Sequence, residues 1–278
     1  MIADVELRYR QHLTDADRRL LQRVAGTDAG LVAALSHPDV EAAVFGEAAD
    51  DDGLLAASPF LTFAVAVHRT AVHLETATSV TEWVGPRQRV PVFDVPRLRE
   101  LLADPARRAA LVELLASYTH VASGAVWQRT ARGWRRRRFS ELDPVRLASL
   151  LEVVSPAERA GVFRRLGDLA LFLTGVFPDH TDLSALGPVD VGRLMRATGL
   201  RADAAADRGG VALLEELGAR WYRAAVAAAA AAGVPRTQEL VVVGELGERF
   251  ADARRVLDVV TQRYLFPRRE RWFGRPST

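Results

Sequence analysis

Apolar residues recur every third or fourth position along most of the chain, the spacing that turns one face of a helix toward a core, so the pattern predicts a mostly α-helical protein. Thr14 or Asp15 caps a first helix running to about Val24, and Ser36-His37-Pro38-Asp39 separates two short helices ahead of Gly46. Glu47 to Gly53 is acidic, ends in glycine and reads as a loop. Ser58-Pro59 is a helix start, because proline is tolerated in the first turn, and Phe60 to Val80 is apolar enough for a central helix. Asp104-Pro105 opens another helix reaching about His120. Asp143-Pro144 and Ser155-Pro156 repeat the signal for a short helix and then a longer one through Val176. Two further helices cover roughly Val211 to Ala232 and Arg236 to Leu265. Within the last of these, Leu240 to Val243 could be a strand, but Leu246, Phe250 and Leu257 keep helical spacing.

Two stretches break the helical period. Residues 85–96 hold three prolines and alternating residues, and are expected to be an extended connection between an N-terminal lobe (1–84) and a C-terminal lobe (97–278), which could also form one compact domain. Residues 125–139 carry two aromatic-containing runs flanking a short turn that ends at Gly133, the pattern of a β-hairpin. The expected fold is therefore a multi-helix bundle of about eight to ten helices with one small hairpin.

Composition removes many chemistries. None of the 278 residues is lysine, asparagine or cysteine, so all 37 basic side chains are arginine. Schiff-base and phosphate-loop lysines, thiol nucleophiles, cysteine metal ligands and N-glycosylation acceptors are excluded. Codon bias in a GC-rich genome produces such depletion whatever the function. No apolar run is long enough to span a membrane, and Met1-Ile-Ala-Asp-Val-Glu lacks the apolar core of a secretory signal, so a cytoplasmic location is expected.

Charge is unevenly placed. Residues 125–139 contain six arginines and no acid, and residues 263–278 contain five arginines and one glutamate; the remainder of the chain has 26 basic against 34 acidic residues. Both basic segments interleave arginine with aromatics. The candidate anion-binding residues are Arg129, Arg132, Trp134, Arg135, Arg136, Arg137 and Arg138 in the first, and Arg268, Arg269, Arg271 and Trp272 in the second. Guanidinium forks bind phosphate oxygens and aromatic rings stack on bases, a combination suited to nucleic acid, an acidic protein surface or an anionic membrane. The competing reading pairs these arginines with the protein's own acidic surface and docks the tail's aromatics, Tyr264 and Phe266 among them, into the core.

A second group is centred on histidine and carboxylate. His68 and Glu75 lie seven residues apart on one helix face, with His73 further round. Metal binding from one helix needs closer spacing, no His-Glu-x-x-His is present, and no metal or cofactor is expected. Asp168 sits in the apolar run Phe163 to Phe177 and must be paired or protonated. Arg164, four residues earlier, is the natural structural partner, and the alternative joins Asp168 with His68 and Glu75 in a pocket as weak catalytic candidates, with His180 nearby. A calcium loop at Asp50 to Gly53, a dinucleotide fingerprint at Gly244 and Gly247, and a Gly-x-Ser-x-Gly elbow all fail on spacing or context.

The stretches Pro59 to His68, Glu82-Trp-Val-Gly-Pro86, Leu114 to Thr119 and Leu166 to Pro178 resemble helical proteins of actinobacterial type that have no assigned activity. The resemblance implies a stand-alone bacterial helical protein and no transferable chemistry. Sequence thus leads to a non-catalytic binding protein that contacts an anionic partner through its arginine–aromatic segments, with homo-oligomerisation left open.

Overall fold

Proline and short polar side chains start most of the helices in the computed structural model, which describes residues 2–26, 30–46, 57–85, 88–130, 133–178, 188–197 and 210–268. The loop at Glu47 to Gly53 lies outside the described residues. Thirteen α-helices and two antiparallel hairpins are present among them, so the chain is mostly α with small β elements. Two compact units are formed, one by Met1–Thr119 with Arg255–Thr278 and the other by His120–Arg254. No described helix is long and apolar enough to cross a membrane.

In the first unit, α1 (Ile2–His12), α2 (Asp15–Ala25), α3 (Leu31–Leu35) and α4 (Pro38–Phe45) precede the central α5 (Pro59–Thr76). Thr14 and Asp17 form a capping box, the Asp17 amide donating to the threonine hydroxyl at 3.1 Å and Asp17 Oδ2 accepting from the Thr14 amide at 2.8 Å. Asp17 is fully buried because its second oxygen accepts from the Ser58 amide at 2.8 Å, so one carboxylate serves two helix starts 41 residues apart. Ser58 in turn accepts from the Leu61 amide, and His37 Nδ1 accepts from the Asp39 amide at the start of α4. Along α5, Leu61 and Ala64 to Val67 are all at 0% exposure, so this helix is enclosed on every side near its start. It packs against α3, α4, α6 (Val95–Ala103) and α7 (Pro105–Ser117), and α1 lies on α7.

The central helix stops at Thr76 instead of reaching Val80, because Val80 begins β1 (Val80–Gly85), paired antiparallel with β2 (Gln88–Val92). Part of the 85–96 segment is thus a strand inside the first unit rather than only a connection. Its proline, Pro91, stands opposite Thr81 in a two-stranded ribbon, where every strand is an edge and a missing amide is tolerated.

The second unit begins with β3 (Ser123–Thr130) and β4 (Gly133–Ser140), the hairpin expected from sequence. It continues with α8 (Pro144–Ala148), α9 (Arg159–Val176), α10 (Pro188–Ala197), α11 (Gly210–Ala231) and α12 (Gln238–Glu248). Helix α9 starts at Arg159, later than Ser155-Pro156 suggested, because Ser155 Oγ and its amide both bind the Glu158 carboxylate in a preceding turn. Leu240 to Val243 is helical, as the downstream spacing indicated. The alanine-rich end of α11 closes on Gly233 at φ +72°, with Gly233 and Val234 amides donating back to Ala230 and Ala229, a left-handed cap only glycine adopts at low cost. Helix α13 (Phe250–Val260) follows, and the division between the units falls within it, after Arg254.

Glycine lets α9, α11 and α12 approach closely. A Cβ on Gly167 would stand 2.5 Å from the Tyr222 ring, and one on Gly218 only 2.3 Å from the Phe250 ring. Both rings are buried and have little room to shift. Gly167→Ala is expected to lower stability by about 1–3 kcal/mol. Gly161→Ala, on the same helix with nothing within 4 Å, should instead raise it by roughly 0.5–1 kcal/mol. Urea denaturation of the two variants tests both signs.

Candidate functional site

The candidate residues fall at three separate places. In the β3–β4 hairpin the register places Trp127 opposite Arg136, Arg129 opposite Trp134, Gln128 opposite Arg135, Val126 opposite Arg137 and Ala125 opposite Arg138. Trp127 is 63% exposed, and Arg136 is exposed with no ion-pair partner among the described residues. The side chains of Arg129, Trp134, Arg135, Arg137, Arg138 and Arg268 lie outside the described set, as do Arg132, Arg269, Arg271, Trp272 and His180 altogether. The described part of this surface is an exposed guanidinium and an exposed indole opposite each other in register, with no ion-pair partner for Arg136 among the described residues.

His68 is buried at 1% exposure on α5, and its Nε2 lies 3.0 Å from the Tyr9 hydroxyl on α1, with the imidazole tautomer deciding which group donates. The Tyr9 ring meets both His68 and Phe60 edge-on, and His12 stacks on Phe60 at 4.7 Å. Burial, assisted by the Arg108 charge, drives the His68 pKa down to about 3. The same burial pushes the Tyr9 phenol above its ordinary range. His68 Nδ1 has no hydrogen-bond partner among the described residues. A neutral, enclosed imidazole held by a tyrosine cements a helix contact and is poorly placed to exchange protons with a substrate. Glu75, seven residues on, emerges from the core at the end of α5 and is exposed, with its carbonyl accepting from Arg99. Helical spacing put the two side chains on one face, but only the first part of that face is covered.

Asp168 belongs to the second unit. Its side chain is 16% exposed, and its Oδ1 accepts from the Tyr222 hydroxyl on α11 at 2.7 Å. Arg164, the expected partner, approaches only to 3.9 Å and makes its closest contact with Glu239 on α12. Burial raises the Asp168 pKa above the ordinary carboxylate value, opposed by the Arg164 charge and the Tyr222 hydrogen bond. Sequence missed Tyr222 because the contact crosses 54 residues. Its one local trace is glycine at 167, which leaves room for the tyrosine ring beside the aspartate. His68 and Asp168 sit in different units and each is engaged by its own tyrosine.

No family of known proteins matches the chain, and comparison with curated proteins and with solved structures gives no match either.

The depressed His68 pKa has a consequence for stability. With the folded value near 3 and the unfolded value near 6.5, the unfolded state alone takes up a proton between those limits. The His68 contribution is complete above about pH 6.5 and is lost as pH falls toward 3, at up to about 1.4 kcal/mol per pH unit. Denaturation midpoints followed from pH 7 to pH 4 should fall steeply in the native protein, and His68→Gln should flatten that fall.

Proposed function

We propose that the protein is a non-catalytic binding protein whose β3–β4 hairpin contacts a single-stranded nucleic acid. The observation that carries the reading is the pairing of exposed Trp127 with exposed Arg136, in a fifteen-residue segment of six arginines and no acid. An exposed indole offers a stacking face to any base, and guanidinium groups neutralise the backbone without reading its sequence. An unpaired strand offers free base faces to the indole where a duplex keeps its bases stacked, so an unpaired strand is the favoured nucleic acid. Such strands occur in the bacterial cytoplasm, and the reading carries that location with it. The C-terminal arginines add to the charge but are not needed for the argument.

Two variants separate stacking from charge. Trp127→Ala should weaken binding to a short oligothymidine by about 1–3 kcal/mol at fixed salt. Replacing Arg135 to Arg138 with glutamine should weaken it further and flatten the dependence of log affinity on log salt, because fewer counterions are released. Trp127→Ala and Arg136→Gln alone should leave the melting temperature unchanged, since both positions are exposed. Fluorescence anisotropy across a salt series reads both effects, and unchanged binding in the quadruple variant would sink the proposal.

A further inference from the structure

A two-stranded ribbon is only marginally stable in water, and the β3–β4 ribbon carries a run of guanidinium charge that repels itself. The register relieves part of this, because Arg129 and Arg135 to Arg138 each stand opposite an uncharged residue. Further support comes from the base of the ribbon. Ser123 and Ser140 close the ladder, and just beyond them the Glu141 amide donates to the Ala122 carbonyl at 3.1 Å. One Glu141 carboxylate oxygen then accepts twice, from the Ala122 amide at 3.0 Å and from Arg165 of α9 at 3.0 Å. The two side chains are 23% and 17% exposed, so the contact is not a solvated surface pair of the kind that contributes little. Helix α9 is a firm anchor, with Leu166, Leu169, Ala170 and Leu171 all at 0% exposure. A second tether runs through the next turn, where the Asp143 amide donates to the Ser140 carbonyl at 3.2 Å and the Asp143 carboxylate accepts from the Val145 and Arg146 amides at the start of α8. Helix α8 packs on both β4 and α9.

Glu141 is the first acid after the six arginines of residues 125–139. A carboxylate beside a surface that meets phosphates repels them, so by charge alone Glu141 opposes the binding that the arginines favour. Its contacts supply geometry instead. Through one oxygen it joins the strand entering the ribbon, by way of Ala122, to the helix that the chain reaches after leaving it, by way of Arg165. An arm fixed in this way loses its conformational freedom on folding, and a ligand that binds it does not have to order it again.

We infer that Glu141 is a positioning residue for the hairpin site: by joining the Ala122 amide to Arg165 it holds the β3–β4 ribbon against α9, set in advance for a single strand. The role rests on the nucleic-acid reading of the hairpin. Its test compares the full chain with Glu141→Ala and Glu141→Gln, by anisotropy with a short oligothymidine and by amide hydrogen exchange of residues 122–140 without nucleic acid. Glu141→Ala should speed exchange in the ribbon by roughly tenfold or more while α9 and α11 stay protected. The same variant should weaken binding by roughly fivefold or more. Glu141→Gln keeps an acceptor oxygen and should recover most of both. Charge acting alone gives the opposite sign, with both variants binding more tightly than the native chain. Binding by Glu141→Ala that equals or exceeds the native level overturns the positioning role, and so does unchanged exchange in the ribbon. Loss of protection in α9 and α11 overturns it as well, because Glu141 would then serve the whole unit. A native chain that binds no oligothymidine overturns the reading of the hairpin itself and the positioning role with it.

Discussion

With lysine absent, every side-chain cation that is permanently charged in this protein is a guanidinium, and the long-range organisation of both units depends on guanidinium–carboxylate pairs. In the first unit Arg89 of β2 donates to both oxygens of Asp258 on α13 at 3.0 and 2.8 Å, across 169 residues of chain. Arg255 of the same helix reaches Glu82 of β1 at 3.0 Å and Asp94 at 3.5 Å. These pairs hold a two-stranded hairpin that could not stand alone onto the returning end of the chain. Arg8 and Glu113 tie α1 to α7 in the same way. In the second unit Arg165–Glu141 and Arg254–Glu215 join segments that local sequence would leave apart. Asp258 is almost fully enclosed, so removing Arg89 would take a neutralising partner from a buried charge, and breaking a buried pair costs about 3–5 kcal/mol in comparable cases.

A planar fork suits this role because it desolvates more readily than an ammonium and fixes two oxygens at once. The same property explains where function can sit. Guanidinium groups engaged by a carboxylate serve the fold, whereas Arg136 has no such partner among the described residues and stands opposite Trp127 in register. Two further polar contacts follow a related rule: a tyrosine hydroxyl meets His68 in one unit and Asp168 in the other. Each hydroxyl satisfies a polar group that burial has pushed toward its neutral form, His68 downward in pKa and Asp168 upward. Both contacts join two helices of the same unit, α1 to α5 and α9 to α11.

Local signals were legible wherever the physics is local. Ser58, Asp104 and Asp143 cap the helices they precede, and proline occupies the first turn of each, because capping and the fixed φ of proline act within four residues. The β3–β4 hairpin was readable from alternation and Gly133, which adopts φ +108°. The β1–β2 hairpin was not, because three prolines in and around it mask the strand pattern and the partners of Arg89 and Glu82, Asp258 and Arg255 on α13, lie far along the chain. Tyr264 falls both in the basic segment 263–278 and in the helix expected to reach Leu265, and Val256, Leu257, Val260 and Tyr264, which share a helical period, are all buried.

The sequence by itself determined the helical class, most helix starts, a hairpin at about 125–139 and the concentration of guanidinium charge, since each follows from propensity, capping or composition over a few residues. Tertiary structure alone decided that Tyr9 meets His68, that Tyr222 rather than Arg164 binds Asp168 most closely, and that Glu141 at the base of the hairpin meets Arg165. Those contacts join residues tens of positions apart. Their partners are selected by packing geometry and by the cost of leaving a buried polar group unmet, quantities that no local window of sequence contains.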